Sequence, residues 1–343
     1  MTNQGSNAKR HAYSAFTMIL HRLTRTGFGA ALGPLVAAAL LSAPQAHAKP
    51  TAPAGKDAKI GTYVQIINGE SNHVFDTRRN YAAWVSSMKT GPTCKERGLR
   101  GPGSFGDSAP ERFKKYRAAL AKRPKLEADA AALQMVEALE ELRVPQNEAA
   151  DYYYKNQHLK DDCKKGQELH PKLVTAWTKY AQADNDVRGF VEKYQDARDA
   201  DELASVEKKY GKRLRYHHRK LMIEGKALVR ETDAQTAQAA PDVAALRAKL
   251  AAFVQTLQDA ASLVAKEKQG KNSDALYQGG YEMLLKKAEW YRDAADELLK
   301  QLETPRKQPD GAERLRRASE QSIKAYNAMV EESNGVGYAK TMK

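Results

Sequence analysis

Hydrophobic and aromatic residues recur every three or four positions along most of the chain, which is the period of one face of an α-helix. No convincing run alternates apolar and polar residues with the period of two that is typical of a strand. The pattern therefore predicts an all-α fold, an elongated or bundle-like array of about seven to eight long helices that follows a cleaved signal peptide.

The first predicted helix follows a flexible lead-in at residues 49–58. Its apolar stripe runs from Ile60 to Met88, and Gly69 weakens its middle. An irregular loop is expected next, because residues 90–110 hold five glycines and three prolines.

A second long helix is expected from residue 109 to residue 143. Ser108 and Glu111 have the spacing of a capping box at its start. Pro124 is expected to kink or split this helix, and Pro145 to end it, because proline lacks the backbone N–H that an interior position donates.

The stretch from Asn147 to Asp186 holds the densest aromatic cluster of the chain and two helical patterns with a break between them. Gly166 suits a left-handed cap at the end of the first helix. Pro171 suits the first turn of the second. Two helices are therefore predicted to meet at a corner between Cys163 and Pro171.

The second half of the chain reads as a series of helices with leucine-rich stripes. On the first of them, His217 falls on the apolar stripe and is expected to be a hydrogen-bonded core residue and not a ligand. The predicted segments are a basic helix at residues 201–232, a helix opened by Pro241 and Asp242, a helix at 274–303, a loop at 304–309, a last helix with Asp310 and Glu313 as its N-cap box, and a frayed tail at 334–343.

Residues 1–48 have the pattern of a secretory signal peptide. They carry four basic residues and no acidic one, followed by an apolar run from Phe28 to Ala43 that is too short to span a membrane. The sequence Ala46-His47-Ala48 fits a cleavage site. We therefore expect a periplasmic or secreted protein, with no lipid-acceptor cysteine at the cleavage site and no transmembrane span.

Charge narrows the class of partner. The formal net charge is +14, which becomes +10 once the four basic residues of the predicted signal peptide are removed. An excess of this sign favours lipid head groups, cell-wall polymers or acidic proteins, and nucleic acid is not expected for an exported chain. A start at Met18 instead of Met1 would give a leader of more ordinary length and would leave the exported part unchanged.

Cys94 and Cys163 are the two cysteines of the chain. In an oxidising compartment they are expected to form a disulfide, which would close a loop of about 70 residues and stabilise the fold by about 4 kcal/mol. The alternative is a pair of unrelated thiols.

Candidate ligand-binding side chains gather at the predicted corner. Three consecutive tyrosines cannot share one face, because successive helix positions are about 100° apart. They could line a ligand site, or they could be core rings whose hydroxyls reach water or a buried acceptor. The neighbouring aspartates could help to hold a metal ion or could form a salt-bridged turn. The candidates are Tyr153, Tyr154, His158, Asp161, Asp162 and His170.

The strongest basic patch is KKYGKRLRYHHRK, at residues 208–220. It could be a solvated helix face or a surface on which an anion docks. The candidate docking residues are Lys212, Arg215, Arg219 and Lys220.

The sequence lacks the motifs of the common catalytic and cofactor sites: HExxH, CxxC, a Walker loop and GxSxG. Gly101 and Gly103 form a Gly-x-Gly, but no strand precedes it, so it does not indicate nucleotide binding. No catalytic residue, cofactor or metal site is indicated, and a non-enzymatic protein is favoured.

Two blocks of the sequence resemble the YiiG-like family of bacterial envelope proteins, a domain of unknown function whose members are often lipoproteins. The blocks are YVQIINGESNHVFDTRRNYAAWV and YYYKNQHLKDDCKKGQELHPKLVTAWTKYAQAD. The resemblance covers residues 59–333 and implies one helical domain with no catalytic residues to carry over. This chain departs from many members by lacking the lipid-acceptor cysteine.

Three functions are open at this point. The first is an exported, non-enzymatic protein that binds an unknown envelope protein or an anionic envelope polymer. The second is a periplasmic carrier of a small ligand or metal that uses the Tyr/His-rich corner. The third, a hydrolase acting on cell wall or lipid, needs an acid with a raised pKa in an open cleft, which the sequence does not reveal.

Overall fold

A computed structural model describes residues 55–238, 240–268, 275–304 and 310–336. These residues form helices joined by turns and loops, and none of them lies in a β-strand, so the predicted all-α class is confirmed. The predicted signal peptide, most of the predicted loop at 304–309 and the tail beyond residue 336 lie outside the described residues.

The chain divides into two compact units. The described part of one is residues 55–195, and that of the other lies within residues 196–336. Helix α5 begins in the first unit and ends in the second.

The helix bounds of the first unit are α1 at Gly55–Ile66, a π-helical turn at Ile67–Ser71, α2 at Asn72–Ala82, α3 at Ala109–Ala121, α4 at Asp129–Tyr154, a 3₁₀ turn at Gln157–Leu159, and the start of α5, which spans Lys164–Tyr210. Those of the second unit are the end of α5, α6 at Leu214–Thr236, α7 at Val243–Lys268, α8 at Ala275–Glu303 and α9 at Gly311–Gly335.

The first helical region is longer at its start and shorter at its end than predicted. Helix α1 begins at Gly55, so the flexible lead-in predicted up to residue 58 was wrong for its last four residues. Gly69 lies in the π-helical turn between α1 and α2. Helix α2 ends at Ala82, six residues before Met88, and the irregular segment therefore begins at residue 83.

The prolines behave differently from one another. Pro124 separates α3 from α4, as predicted. The prediction that Pro145 ends a helix was wrong, because α4 continues through it to Tyr154. Pro145 is buried among the apolar residues of α4, and packing of this kind outweighs the cost of a proline inside a helix, about 3 kcal/mol.

The predicted corner between Cys163 and Pro171 was also wrong. Helix α5 already begins at Lys164 and contains both Gly166 and Pro171, and the chain turns earlier, at residues 155–163. Gly166 is therefore no helix cap. A Cβ at this position would lie 2.7 Å from the Tyr153 hydroxyl, so the glycine allows α5 to pack closely against α4.

In the described part of the second unit, helices α6 to α9 form a closed arrangement. Helix α6 packs against α7, α7 against α8, α8 against α9, and α9 against α6. Leucines dominate its core, with tyrosine and phenylalanine rings among them. The basic helix predicted at 201–232 is in fact the end of α5 and the start of α6, because the chain breaks at Gly211, whose φ of +71° favours glycine.

Of the predicted helix N-caps, one makes its capping hydrogen bonds and two do not. Asp242 caps α7, and its carboxylate accepts hydrogen bonds from the backbone N–H groups of Ala244 and Ala245. Ser108 and Asp310 occupy the predicted N-cap positions but make no side-chain cap bond. Their side chains instead accept hydrogen bonds from Arg112 and Arg314, one turn later.

Candidate functional site

The long irregular segment at residues 83–108 is held in place by side chains of other elements. Backbone groups of such a segment need partners, because buried N–H and C=O groups that lose water are costly without them. Here the partners come mainly from α4 and α5. Gln146 Nε2 donates to the carbonyl of Gly103, Gln167 Nε2 to that of Pro92, and His170 Nε2 to that of Met88. Within the segment itself, Trp84 Nε1 donates to the carbonyl of Arg100.

Asn147 makes the most specific of these contacts. Its Oδ1 accepts a hydrogen bond from the backbone N–H of Phe105 at 2.7 Å, and its Nδ2 donates one to the carbonyl of the same residue at 3.2 Å. The side-chain amide thus satisfies both backbone groups of one residue, as a neighbouring strand would. The segment is fixed although it has no regular secondary structure.

A disulfide joins this segment to the α4–α5 turn, residues 155–163. The bond links Cys94 to Cys163, with Cα atoms 5.6 Å apart. The structure therefore brings together the two cysteines that the sequence predicted to pair.

Backbone geometry in this region is unusual. Every described non-glycine residue with a positive φ belongs to the disulfide or to the α4–α5 turn: Cys94, Asn156, Asp162 and Cys163. Such conformations are sparsely populated and persist where surrounding contacts enforce them. Gly101 adds a close approach, because a Cβ there would lie 2.8 Å from the Cα of Ala150 in α4.

His170 is part of the internal hydrogen-bond network and not an open ligand. Its Nε2 lies 3.1 Å from the carbonyl of Met88, which can only accept, so this nitrogen carries the proton. Its Nδ1, 3.1 Å from the Tyr81 hydroxyl, is then the acceptor. Burial lowers the pKa of His170, in keeping with a neutral ring. Both nitrogens are engaged, so neither is available to a metal ion.

The consecutive tyrosines have three different environments. Tyr152 is buried and donates a hydrogen bond of 2.6 Å to Asp161, which lowers the pKa of that carboxyl. Tyr153 is buried among the rings of Tyr81, Trp84 and Tyr152. Tyr154 is 86% exposed, so it does not line a shared pocket with its neighbours.

The remaining candidates at the turn separate as well. His158 is 8% exposed, and its Nδ1 has no hydrogen-bond partner among the described residues. Asp162 is exposed. In the described part of the chain, no group of three or more His, Cys, Asp or Glu side chains is placed to hold a metal ion.

Sequence reasoning missed a buried polar network on the π-helical turn. Glu70, 1% exposed, accepts hydrogen bonds from Arg112 and Tyr116. Ser71 donates to Asp184 at 2.7 Å and therefore accepts from Tyr180 at 2.8 Å. These residues lie in the two sequence blocks of the resemblance or pack against them, and a buried acid within an apolar helical stripe is the signal that could have found them.

The basic patch on α5 and α6 is partly neutralised within the second unit. Arg219 pairs with Asp199 and Glu202, and its side chain is 17% exposed. Lys212 pairs with Glu207 at 3.4 Å, and Arg215 lies over the ring of Tyr210. Arg219 therefore contributes less to an exposed cationic surface than the sequence pattern suggested.

The core histidine of this helix is His218 and not His217. His218 is 3% exposed, and its Nε2 lies 2.7 Å from the hydroxyl of Ser333. Burial lowers its pKa to about 4, so the ring is neutral at physiological pH. The stripe is shifted because α6 begins anew at Leu214 after the break at Gly211.

None of the described helices is long and apolar enough to cross a bilayer. A family model described as "Protein of unknown function (DUF3829)" matches residues 54–335, which include parts of both units. "Uncharacterized protein YiiG" of Escherichia coli (strain K12) is 28% identical over 195 residues, 54% of this chain and 55% of that protein. The chain thus spans about half the length of the curated relative it matches. No solved structure matches.

Proposed function

The chain belongs to the DUF3829 family of proteins of unknown function, and from this premise we propose that it is an exported, non-enzymatic protein that binds an anionic component of the bacterial envelope. The family match and the relative confirm the resemblance to YiiG-like proteins. Neither assigns an activity, so the proposal depends on the chemistry of the described residues.

The observation that carries the proposal is the fixed segment at residues 83–108. Long loops without regular structure are uncommon in compact domains, and ordered ones are often functional. This one is held by side-chain hydrogen bonds and by the disulfide, and the polar atoms beneath it are mostly used for that purpose. Such an arrangement favours a presented surface over an open catalytic pocket.

Two further features support export and an anionic partner. A disulfide is characteristic of oxidising compartments such as the periplasm or the cell exterior. The formal net charge, +14 for the whole chain and +10 without the predicted signal peptide, favours association with polyanions and anionic surfaces.

One observation favours a second candidate function, the binding of a small polar ligand. The Nδ1 of His158 and the hydroxyl of Tyr153 are buried, and neither has a hydrogen-bond partner of good geometry among the described residues. Native mass spectrometry of untagged protein, compared with its denatured mass, distinguishes the two functions. Extra mass in the native state supports the ligand function, whereas a bare chain supports envelope binding.

Co-sedimentation with isolated bacterial envelopes tests the main proposal. Protein from cells that express the full chain should pellet with the envelopes at low salt and be released at high salt, because screening weakens contacts between exposed charges. A triple variant, Lys212→Glu, Arg215→Glu and Lys220→Glu, measures the contribution of the basic patch on α5 and α6. Protein that remains in the supernatant at low salt contradicts the proposal.

A further inference from the structure

Two large apolar side chains stand out from the surface at the α4–α5 connection. Tyr154, the last residue of α4, is 86% exposed, and Leu159 is 75% exposed. The other large hydrophobic residues that are exposed in the described part of the chain, Val144 and Met283, reach 49% and 43%. Exposed apolar side chains that lie together and are rimmed by polar residues mark sites of contact with another protein or with a membrane.

The local backbone holds these side chains outward. Asn156, between them, is left-handed with φ of +53°, and the N–H of Leu159 bonds to its carbonyl at 3.2 Å. The turn is anchored beneath by the hydrogen bond from Tyr152 to Asp161 and by the disulfide at Cys163. Exposure of the two residues is therefore a property of an ordered turn.

Positive charge surrounds the two residues. The disulfide joins Cys94 to Cys163, and the stretches around them, residues 89–100 and 154–165, contain eight basic and three acidic residues. Two of the basic residues, Lys155 and Lys165, pair with acids just outside these stretches. Lys160 and Lys164 are exposed and make no ion pair among the described residues. Two of the three acids are engaged internally, since Glu96 accepts from the N–H of Thr93 and Asp161 accepts from Tyr152.

We propose that this face, the lysine-rich α4–α5 turn with Tyr154 and Leu159, docks on the surface of an anionic phospholipid bilayer. Tyr154 and Leu159 enter the boundary between head groups and acyl chains, and Lys160 and Lys164 contact lipid phosphates. The inference rests on the proposed envelope binding and names the chemistry of the partner.

Chemistry separates a bilayer from the other anionic partners. A polyanionic polymer would use the lysines but offers no apolar phase for a leucine and a tyrosine ring. A stable protein interface buries about 800 Å² on each partner around an apolar centre, more than two side chains provide. Tyrosine has an apolar ring and a polar hydroxyl, which suits the membrane–water interface.

Sedimentation with vesicles tests the inference. The protein should bind vesicles of equal parts phosphatidylglycerol and phosphatidylcholine and not vesicles of phosphatidylcholine alone. The variant Lys160→Glu/Lys164→Glu should bind the anionic vesicles about tenfold or more weakly, because each lysine near such a surface contributes about 1 kcal/mol. Tyr154→Ser/Leu159→Ser should weaken binding at constant charge. A charge-matched variant in the second unit, Lys212→Glu/Lys220→Glu, should bind nearly as well as the parent protein.

A fluorescence measurement reports the insertion directly. The chain has three tryptophans of its own, so Tyr154→Trp adds a fourth at the turn, and brominated phosphatidylglycerol should quench this variant more than the parent protein when it binds. The matched control Met283→Trp adds the probe at an exposed apolar position of α8 and should be quenched no more than the parent protein. The result does not depend on variants that remove charge, so it holds even if one of those fails to fold.

The outcomes separate the inference from the proposed function. Protein that binds isolated envelopes but not anionic vesicles contradicts the lipid inference and leaves envelope binding intact. Protein that binds neither contradicts both. Vesicle binding that is lost in Lys212→Glu/Lys220→Glu but kept in the α4–α5 turn variants also overturns the inference, because it assigns the contact to the basic patch.

Discussion

The two units of the molecule are stabilised by different chemistry. The described part of the first unit buries five residues that carry charge at neutral pH: Lys59, Glu70, Asp129, Asp184 and Arg188. In the described part of the second unit the corresponding residue is Lys226, and the core there is mostly leucine with a few aromatic rings. The contrast follows from the helices, which are interrupted in the first unit and long and regular in the second.

Interrupted helices leave backbone groups that side chains must satisfy. Lys59 shows how this is done. Its ammonium donates to the carbonyls of Leu120 and Lys122 at the end of α3, each at 2.5 Å, and lies 3.1 Å from Asp129 at the start of α4. One buried cation thus holds α1, α3 and α4 together, whereas the long helices of the second unit meet through apolar packing.

The largest expected effect is on Lys59. Lys59→Met leaves the carboxylate of Asp129 and two carbonyls without their cation, and should lower the free energy of unfolding by about 3–5 kcal/mol. Lys226→Met is the matched variant in the second unit. Lys226 pairs with Asp199 and Asp196, but Asp199 keeps Arg219 as a partner, and Asp196 is 52% exposed and keeps Arg230, so the loss should be about 1 kcal/mol or less. Urea denaturation followed by circular dichroism measures both.

Equal losses for the two lysine variants would contradict the contrast between the units. A second substitution checks the physical cause. Adding Asp129→Asn to Lys59→Met removes the uncompensated charge and should recover about 1 kcal/mol or more.

The same contrast explains which parts of the fold the sequence predicts. The helices of the second unit from α7 onward follow uninterrupted apolar stripes, and the predicted helix at 274–303 begins one residue before α8 and ends with it. In the first unit Pro145 and Pro171 look like helix ends, but tertiary packing carries α4 and α5 through them. Local helix propensity sets the ends of a helix where tertiary packing does not oppose it. Where burial of apolar side chains favours a longer helix, packing outweighs local propensity.

The candidate site was predictable in part. The two cysteines and the glycine-rich, proline-rich segment were recognisable from the sequence. Glycine and proline favour loops and turns, and paired cysteines in an exported chain favour a disulfide. The residues that hold the segment were not. Gln146 and Asn147 resemble ordinary polar surface positions of a helix, and their role depends on which backbone groups the fold places opposite them.

Removal of the disulfide should have an intermediate effect confined to the first unit. The double variant Cys94→Ser/Cys163→Ser should lose about 3 to 4 kcal/mol of stability, since the unfolded chain gains conformational freedom. Hydrogen exchange followed by mass spectrometry should show faster exchange in residues 83–108 and 155–163 and unchanged exchange in α7 to α9. Acceleration spread evenly over both units would mean that the disulfide does not act locally.

The smallest of the three main effects concerns Asp233 on α6, the acid of the described second unit whose pKa is strongly raised. Burial near the ring of Tyr291 raises its pKa from 3.8 to about 7. Between these pH values the folded state holds a proton that the unfolded chain has lost, so the free energy of unfolding falls as the pH rises from about 4 to about 7.

Asp233→Asn removes this pH-dependent loss of stability. The variant should match the parent protein near pH 4 and exceed it by about 2 kcal/mol near pH 8, less than the full shift implies, because water reaches a half-buried group. Urea midpoints at the two pH values, with the exposed Asp201→Asn as control, measure the difference. A gain that is the same at both pH values would show that Asp233 acts through packing and not through its charge, and the apolar core of the second unit would then tolerate a buried carboxylate as the first unit does.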